Sequence, residues 1–399
     1  MRIVNLQAGI GGLSIGVMQA LTEQGDEGEL LLLTERDITA RKVLKANLTS
    51  LQVKESPRLI KNAFFPDHDI LLADLQAPSQ AISHELLYEF LNVLKSKRPL
   101  FFILTNSRPV MKEKPLKEKN GEHQMDPLFK ALRKMGYKLA HENLNASDYG
   151  IPQRRNNLFV VGALDSQPLL PEPKLERPCL HTILDSSVSD EENISQSFST
   201  QVLSQYDPKE LYGKTIRDKR GGKNMLHSWQ LGLRGEVPIE SQKLLEQLVL
   251  ESRHEKWRDK KCFTRKENVP LTLKEISTFS KLKGPALSDS IKLLVKQGYL
   301  SQNSLGYAIA SGSFSFPIAH ILDPLGIAPA FLSKTGERFG IIDKDLIRHL
   351  TNDEVKRLFG FQEDFILNPE LSKKQIFKLF GNSAVVPVAR KVTAKLIFG

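Results

Sequence analysis

Five short apolar runs mark the first part of the chain: Arg2–Leu6, Leu30–Leu33, Asp69–Leu72, Leu100–Leu104 and Phe159–Val161. Each is too short for a helix and carries little polar alternation, the pattern of strands buried on both faces. Longer mixed stretches separate them, so strands and helices alternate. That order predicts an α/β fold with a doubly wound, mostly parallel sheet.

Beyond this region the pattern changes. Residues 187–199 are rich in Ser and acids and read as a surface linker. Ser241–Arg258 reads as a charged amphipathic helix, and Leu273–Leu300 as helix, turn, helix, with the break at Lys283-Gly-Pro285. Leu287, Ile291, Leu294 and Val295 form one apolar stripe on the second of these helices. Tyr299-Leu300, a polar Ser301–Ser304 turn and Leu305-Gly-Tyr307 predict a hairpin. Helix, turn, helix and hairpin resemble a winged helix, a common DNA-reading module; a small structural helical pair is the alternative.

At 399 residues the chain is long enough for two domains with their own cores. These are expected at 1–165 together with 336–399, and at 166–335. The two cysteines, Cys179 and Cys262, lie far apart, which gives neither a disulfide framework nor a zinc spacing. No metal is expected, and a reducing, bacterial-type cytoplasm is the simplest compartment. No leader and no apolar run of membrane-spanning length is expected. The formal net charge is +10, and residues 206–300 hold much of it, with 20 Lys and Arg against 12 Asp and Glu. A basic region of this kind is the footprint expected of phosphate contacts, with a solvated surface carrying surplus lysine as the alternative. Lys219, Arg220 and Lys223 in a glycine-rich loop, with Lys281 and Lys283 at the helical break, are the candidate DNA contacts.

Candidate chemistry lies in the first part. Val4-Asn-Leu-Gln-Ala-Gly-Ile-Gly-Gly-Leu-Ser14 is a strand entering a glycine-rich turn, and Leu31-Leu-Leu-Thr-Glu35 is a second strand ending in an acid. Asp69–Ala73 runs into Pro78-Ser-Gln80. Leu144-Asn-Ala-Ser-Asp-Tyr-Gly-Ile-Pro-Gln-Arg-Arg155, Ile347–Phe361 and Phe380-Gly-Asn-Ser-Ala-Val-Val-Pro387 follow in order. Together these blocks resemble the DNA cytosine-5 methyltransferases of restriction–modification systems. The resemblance implies a Rossmann-like sheet and a basic target-recognition domain between the Gln-x-Arg and Arg-x-Leu-Thr blocks. It implies S-adenosyl-L-methionine as cofactor, held by the turn at Gln7, Gly9, Gly11 and Gly12, by Glu35 and near Asn382, and double-stranded DNA as substrate.

The same resemblance exposes departures. Ser79 stands where the family has its nucleophilic cysteine, Thr105 where it has a glutamate, and Asn157 where it has a second arginine; Gln153 and Arg155 are kept. Gln7 replaces an aromatic residue, and Gln76 and Ala77 lengthen the nucleophile loop. Cytosine carbon 6 is attacked when a thiolate acts on one side and a donor at N3 withdraws charge on the other, with the base extruded from the duplex. A serine hydroxyl without a base supplies no comparable nucleophile. Ser83 and Cys179 are the other candidate nucleophiles. Three readings follow: a silent recognition subunit working with an active methyltransferase chain, an active cytosine-5 methyltransferase with atypical residues, or a DNA-binding protein acting alone.

Overall fold

A computed structural model describes residues 1–48, 52–56, 65–75, 80–106, 126–173, 177–186, 188, 194, 196–218, 224–257, 269–310, 317–333 and 335–399. They form two compact units. The first holds Met1–Ser186, Pro324–Glu337 and Thr351–Gly399; the second holds Ser187–Asp323 and Arg338–Leu350.

In chain order the first unit begins with β1 (Arg2–Leu6), α1 (Gly12–Glu23), β2 (Glu29–Thr34), α2 (Ile38–Asn47) and β3 (Gln52–Lys54). It continues through β4 (Ile70–Asp74), α3 (Gln80–Lys97), β5 (Phe101–Asn106), α4 (Asp126–Lys134), β6 (Lys138–Asn145), β7 (Gln153–Arg154) and β8 (Asn156–Ala163). Among the described residues a seven-stranded sheet runs in the order β3-β2-β1-β4-β5-β8-β6. All pairs are parallel except those of β8, which is antiparallel to both β5 and β6. The strand order reverses beside β1, so the carboxyl ends of β1 and β4 flank the crevice where ligands of open α/β sheets bind. Val4, Leu71, Phe102 and Val160 from the sheet pack with Phe90 and Leu94 of α3 in one core. The fold is the doubly wound, mostly parallel α/β sheet that the alternating strands predict.

The second unit contains α5 (Gln196–Leu203), α6 (Pro208–Leu211), β9 (Thr215–Ile216), β10 (Met225–Leu226) and α7 (Ile239–Glu251). Next come α8 (Leu273–Phe279), α9 (Gly284–Lys296), β11 (Leu300–Asn303), β12 (Gly306–Ile309) and β13 (His320–Ile321). After β14 (Ala328–Pro329), which belongs to the first unit, β15 (Phe339–Asp343) and β16 (Leu346–Arg348) complete the second. The chain ends in the first unit with α10 (Asn352–Phe359), α11 (Lys373–Gly381) and α12 (Val386–Phe398).

The second unit has two cores. One sits on the sheet β10-β9-β13-β15-β16 and includes Phe198, Ile216, Ile318 and Ile347. The other joins α7, α8, α9 and the β11–β12 hairpin through Leu244, Leu248, Ile276, Leu287, Ile291, Leu294 and Ile309. Leu271 bridges to Tyr307 and adds a third extended segment to the hairpin. Three helices closed by such a sheet are a winged helix. The helical break lies at Ser280–Lys283, one turn earlier than the Gly-Pro pair suggests: Gly284 and Pro285 open α9, where proline's fixed φ and missing N–H suit the first turn.

The unit boundaries also differ from the sequence estimate. Residues 166–186 and 324–335 fall in the first unit rather than the second. β14 pairs with β7, and the Phe331 N–H donates to Gln153 Oε1. Residues 338–350 belong to the second unit because β15 joins β13 in its sheet. Among the described residues no helix is long and apolar enough to cross a membrane.

Candidate cofactor and base site

The glycine-rich turn lies at the carboxyl end of β1. Gln7, Gly9 and Gly11 all have positive φ, at 58°, 59° and 98°. For the two glycines this backbone costs little, and for Gln7 it is a local strain. The turn closes over the end of β2, where Glu35 is buried. Glu35 Oε2 accepts the Gly9 N–H at 2.7 Å, and Oε1 accepts Gln7 Nε2 at 2.8 Å and the Asp37 N–H at 2.7 Å. Burial raises the Glu35 pKa above the usual carboxylate value, and the Asp37 and Gly9 N–H groups oppose it. A carboxylate has about four lone-pair positions, so three donors leave room for one more hydroxyl. The donor set fits a ribose, with the Gln7 amide as a competitor for the same oxygen.

The turn is held against the last block of the chain. A Cβ on Gly12 would lie 2.4 Å from the Ala384 carbonyl oxygen and 2.5 Å from Ser383 Oγ. On Gly9 it would meet the Asn382 carbonyl oxygen at 3.8 Å. Asn382 itself is exposed at the C-cap of α11. The glycine at position 12 therefore permits a close main-chain approach that any side chain would push apart. Gly12→Ala should destabilise the chain by about 2–3 kcal/mol and weaken S-adenosylmethionine binding; calorimetric melting and equilibrium dialysis with labelled cofactor would measure both. Unchanged melting would show that the approach is looser than these contacts require.

The neighbouring strand ends carry the departures. Thr105 is buried at the end of β5, level with Asp74 on β4 and Phe159 on β8. Its Oγ1 has no hydrogen-bond partner among the described residues, and neither has Oδ1 of the buried Asn157. Asn157 is two residues from Phe159 on β8, so it shares a face with Thr105 as its diagonal neighbour. Two unsatisfied oxygens thus lie on one face at the ligand-binding end of the sheet. Each costs on the order of 1–3 kcal/mol if left unmade. Asp74, buried at the end of β4, is an acid that sequence reading passed over. Its signal was the acid closing an apolar run at a strand's carboxyl end.

Gln153 and Arg155 are tied into the first unit by main-chain contacts. Both are buried, and both face main chain. Gln153 Nε2 donates to the Leu358 carbonyl at 3.0 Å, and its Oε1 accepts the Phe331 N–H at 2.8 Å. Arg155 Nη1 donates to the Phe331 carbonyl at 2.9 Å, while Nη2 donates to those of Gly381 and Ser383 at 3.1 and 3.0 Å. Its guanidinium lies 5.2 Å from the Phe359 ring centroid. Burial lowers the Arg155 pKa to about 10, and the Asp74 carboxylate opposes that shift. Arg155 thereby ties the Gly381–Ser383 block to Phe331, and Gln153 ties Phe331 to the end of α10.

Ser79 lies outside the described residues, as do Lys219, Arg220 and Lys223. Ser83 falls in α3. Cys179 is a free thiol at the N-cap of a short helical turn, Leu180–Ile183. The base of the basic loop is described: Asp218, buried, accepts from the Ser228 N–H at 2.7 Å and from Ser228 Oγ at 2.6 Å. Lys281 is exposed in the turn before α9, and Lys283 caps that helix, its Nζ donating to the Ser277 carbonyl. Among the described residues no cluster of His, Cys, Asp or Glu could hold a metal ion.

Comparison with known proteins agrees with this arrangement. The family model of C-5 cytosine-specific DNA methylase matches residues 1–397. The chain is 33% identical to the type II methyltransferase M.NlaIV of Neisseria lactamica, over 99% of this chain and 98% of that protein. It is 30% identical to the type II methyltransferase M.BanI of Aneurinibacillus aneurinilyticus, over 99% and 95% of the two chains. Among solved structures, the S. pombe Dnmt2 methyltransferase superposes with a TM-score of 0.56 at 13% identity, covering 100% of this chain and 98% of that one, a likeness of fold. A family match over residues 1–397, relatives 30–33% identical over nearly the full length and a crevice built from the expected strand ends lead to one conclusion: this chain belongs to the C-5 cytosine-specific DNA methylase family, whose cofactor is S-adenosylmethionine.

Proposed function

We propose that this chain is a catalytically silent DNA-recognition subunit of a restriction–modification methyltransferase, acting on double-stranded DNA with an active cytosine-5 methyltransferase partner. The observation that carries the reading is Thr105. The position of the family's acid is a buried, neutral hydroxyl, and its neighbour on the same face, Asn157, is neutral as well. With Ser79 in place of the thiol, neither the attack on carbon 6 nor the proton at N3 has its usual source.

Cofactor binding is supported separately. When bound, S-adenosylmethionine supplies an electrophilic methyl group. Glu35 would hold a ribose hydroxyl, and the Gly9–Gly12 turn would admit the cofactor close to main chain. Arg155 would hold the Gly381–Ser383 block, against which Gly12 packs, and Gln153 would hold Phe331 beside Arg155. The net charge of +10 favours a polyanionic partner.

Purified alone, the chain should transfer no methyl group from labelled cofactor to plasmid DNA. Ser79→Cys should stay silent, because a general acid of the missing kind is worth about 10²–10⁴-fold on its own. Ser79→Cys combined with Thr105→Glu should give detectable transfer. Turnover by the unaltered chain would sink the proposal in favour of an active enzyme with atypical residues.

A further inference from the structure

The winged-helix part of the second unit carries a more specific reading, one that rests on the DNA-recognition role proposed above. α9 buries Leu287, Ser290, Ile291 and Leu294 against its own core. The opposite face turns Ala286, Asp289, Lys292 and Lys296 to solvent, spaced three or four residues apart as one outward stripe, with Pro285 exposed beside Ala286. The sequence around α9 is basic: residues 239–310 contain 13 Lys and Arg against 8 Asp and Glu. Lys281, in the turn before α9, is exposed too. In a helix-turn-helix the second helix lies in the major groove, with its first turns on the base edges. The hairpin turns at the exposed Ser304-Leu305, Ser301–Asn303 being strand rather than the turn the sequence suggests, and this tip supplies the wing.

One residue on this stripe does not fit mere attraction to phosphate. Asp289 is the single acid in α9, and it stands in the helix's first half. Its contact with Lys292 is long, at 3.5 Å, with side chains 74% and 75% exposed, and such surface pairs hold little energy. Beside a phosphate backbone this carboxylate is repelled unless it meets a donor. In the major groove, the donor that a carboxylate pairs with is the N4 amino group of cytosine.

We infer that α9 enters the major groove and that Asp289 is a specificity-determining residue accepting from cytosine N4, while Lys281, Lys292 and Lys296 contact phosphates. Ala286, about one turn earlier on the same stripe, is suited to apolar contact with a thymine methyl.

The test selects binding sites for the whole chain from a random duplex library, then repeats the selection with Asp289→Asn. The wild-type site should contain a cytosine whose preference drops roughly tenfold in the variant, with total DNA affinity unchanged or higher. Lys292→Glu with Lys296→Glu should weaken every sequence alike and flatten the salt dependence of binding. Identical sites for wild type and Asp289→Asn would overturn the inference and leave the recognition role standing. A wild-type chain that selects no sequence would overturn both.

Discussion

Arg155→Ala lowers the melting temperature of the chain by about 10 °C, while Arg154→Ala leaves it within a degree or two. The two arginines are adjacent in sequence and opposite in environment: Arg154 is exposed and Arg155 is 2% exposed. Removing the Arg155 guanidinium leaves the Phe331, Gly381 and Ser383 carbonyls without their donor and opens a void beside Phe359. Loss of a buried charged group with several acceptors costs on the order of 3–5 kcal/mol. Arg155→Lys should recover only part of this, since one ammonium cannot span three carbonyls as a planar fork does. Because Gly381 and Ser383 adjoin the glycine-rich turn's contacts, Arg155→Ala should also weaken cofactor binding. Calorimetric melting of the three variants, with and without cofactor, checks both effects. Equal melting of Arg154→Ala and Arg155→Ala would show that Arg155 does not hold the fold.

The sheet was legible where a strand is buried on both faces. β1, β4 and β5 are almost wholly buried, and each is an apolar run in the sequence. β6 was not, because as an edge strand it is mostly exposed or half-buried and carries Lys138, His141 and Glu142. The winged helix was legible because the stripe on α9 has a clear helical period and a break precedes it. The roles of Gln153 and Arg155 were not, since their acceptors lie 176 to 228 residues further on. Nothing local distinguishes a guanidinium meant for a phosphate from one meant for buried carbonyls. The Gln7 contact with Glu35 was hidden in the same way, because it depends on how the turn folds over β2. The domain boundary moved for a related reason: two-residue strands such as β14 carry no periodicity, yet they decide which unit a segment joins.

The proposed partnership rests on what the chain keeps and what it lacks. The cofactor crevice keeps its glycines, Glu35 and the interlocked terminal block, so the fold is maintained at the place where it would otherwise be free to erode. In the proposed role the winged helix and the positive charge of the second unit would serve DNA, while Ser79 and Thr105 stand where the family has its attacking group and acid. Two linked DNA-binding surfaces raise the effective concentration of an active partner at its site without altering that partner's chemistry. Co-expression with an intact cytosine-5 methyltransferase, followed by bisulfite sequencing of the host DNA, tests this most directly. Methylation should need both chains and should persist undiminished when this chain carries Ser79→Ala; loss of methylation in that pair would make Ser79 a chemical residue and contradict the silent-subunit account.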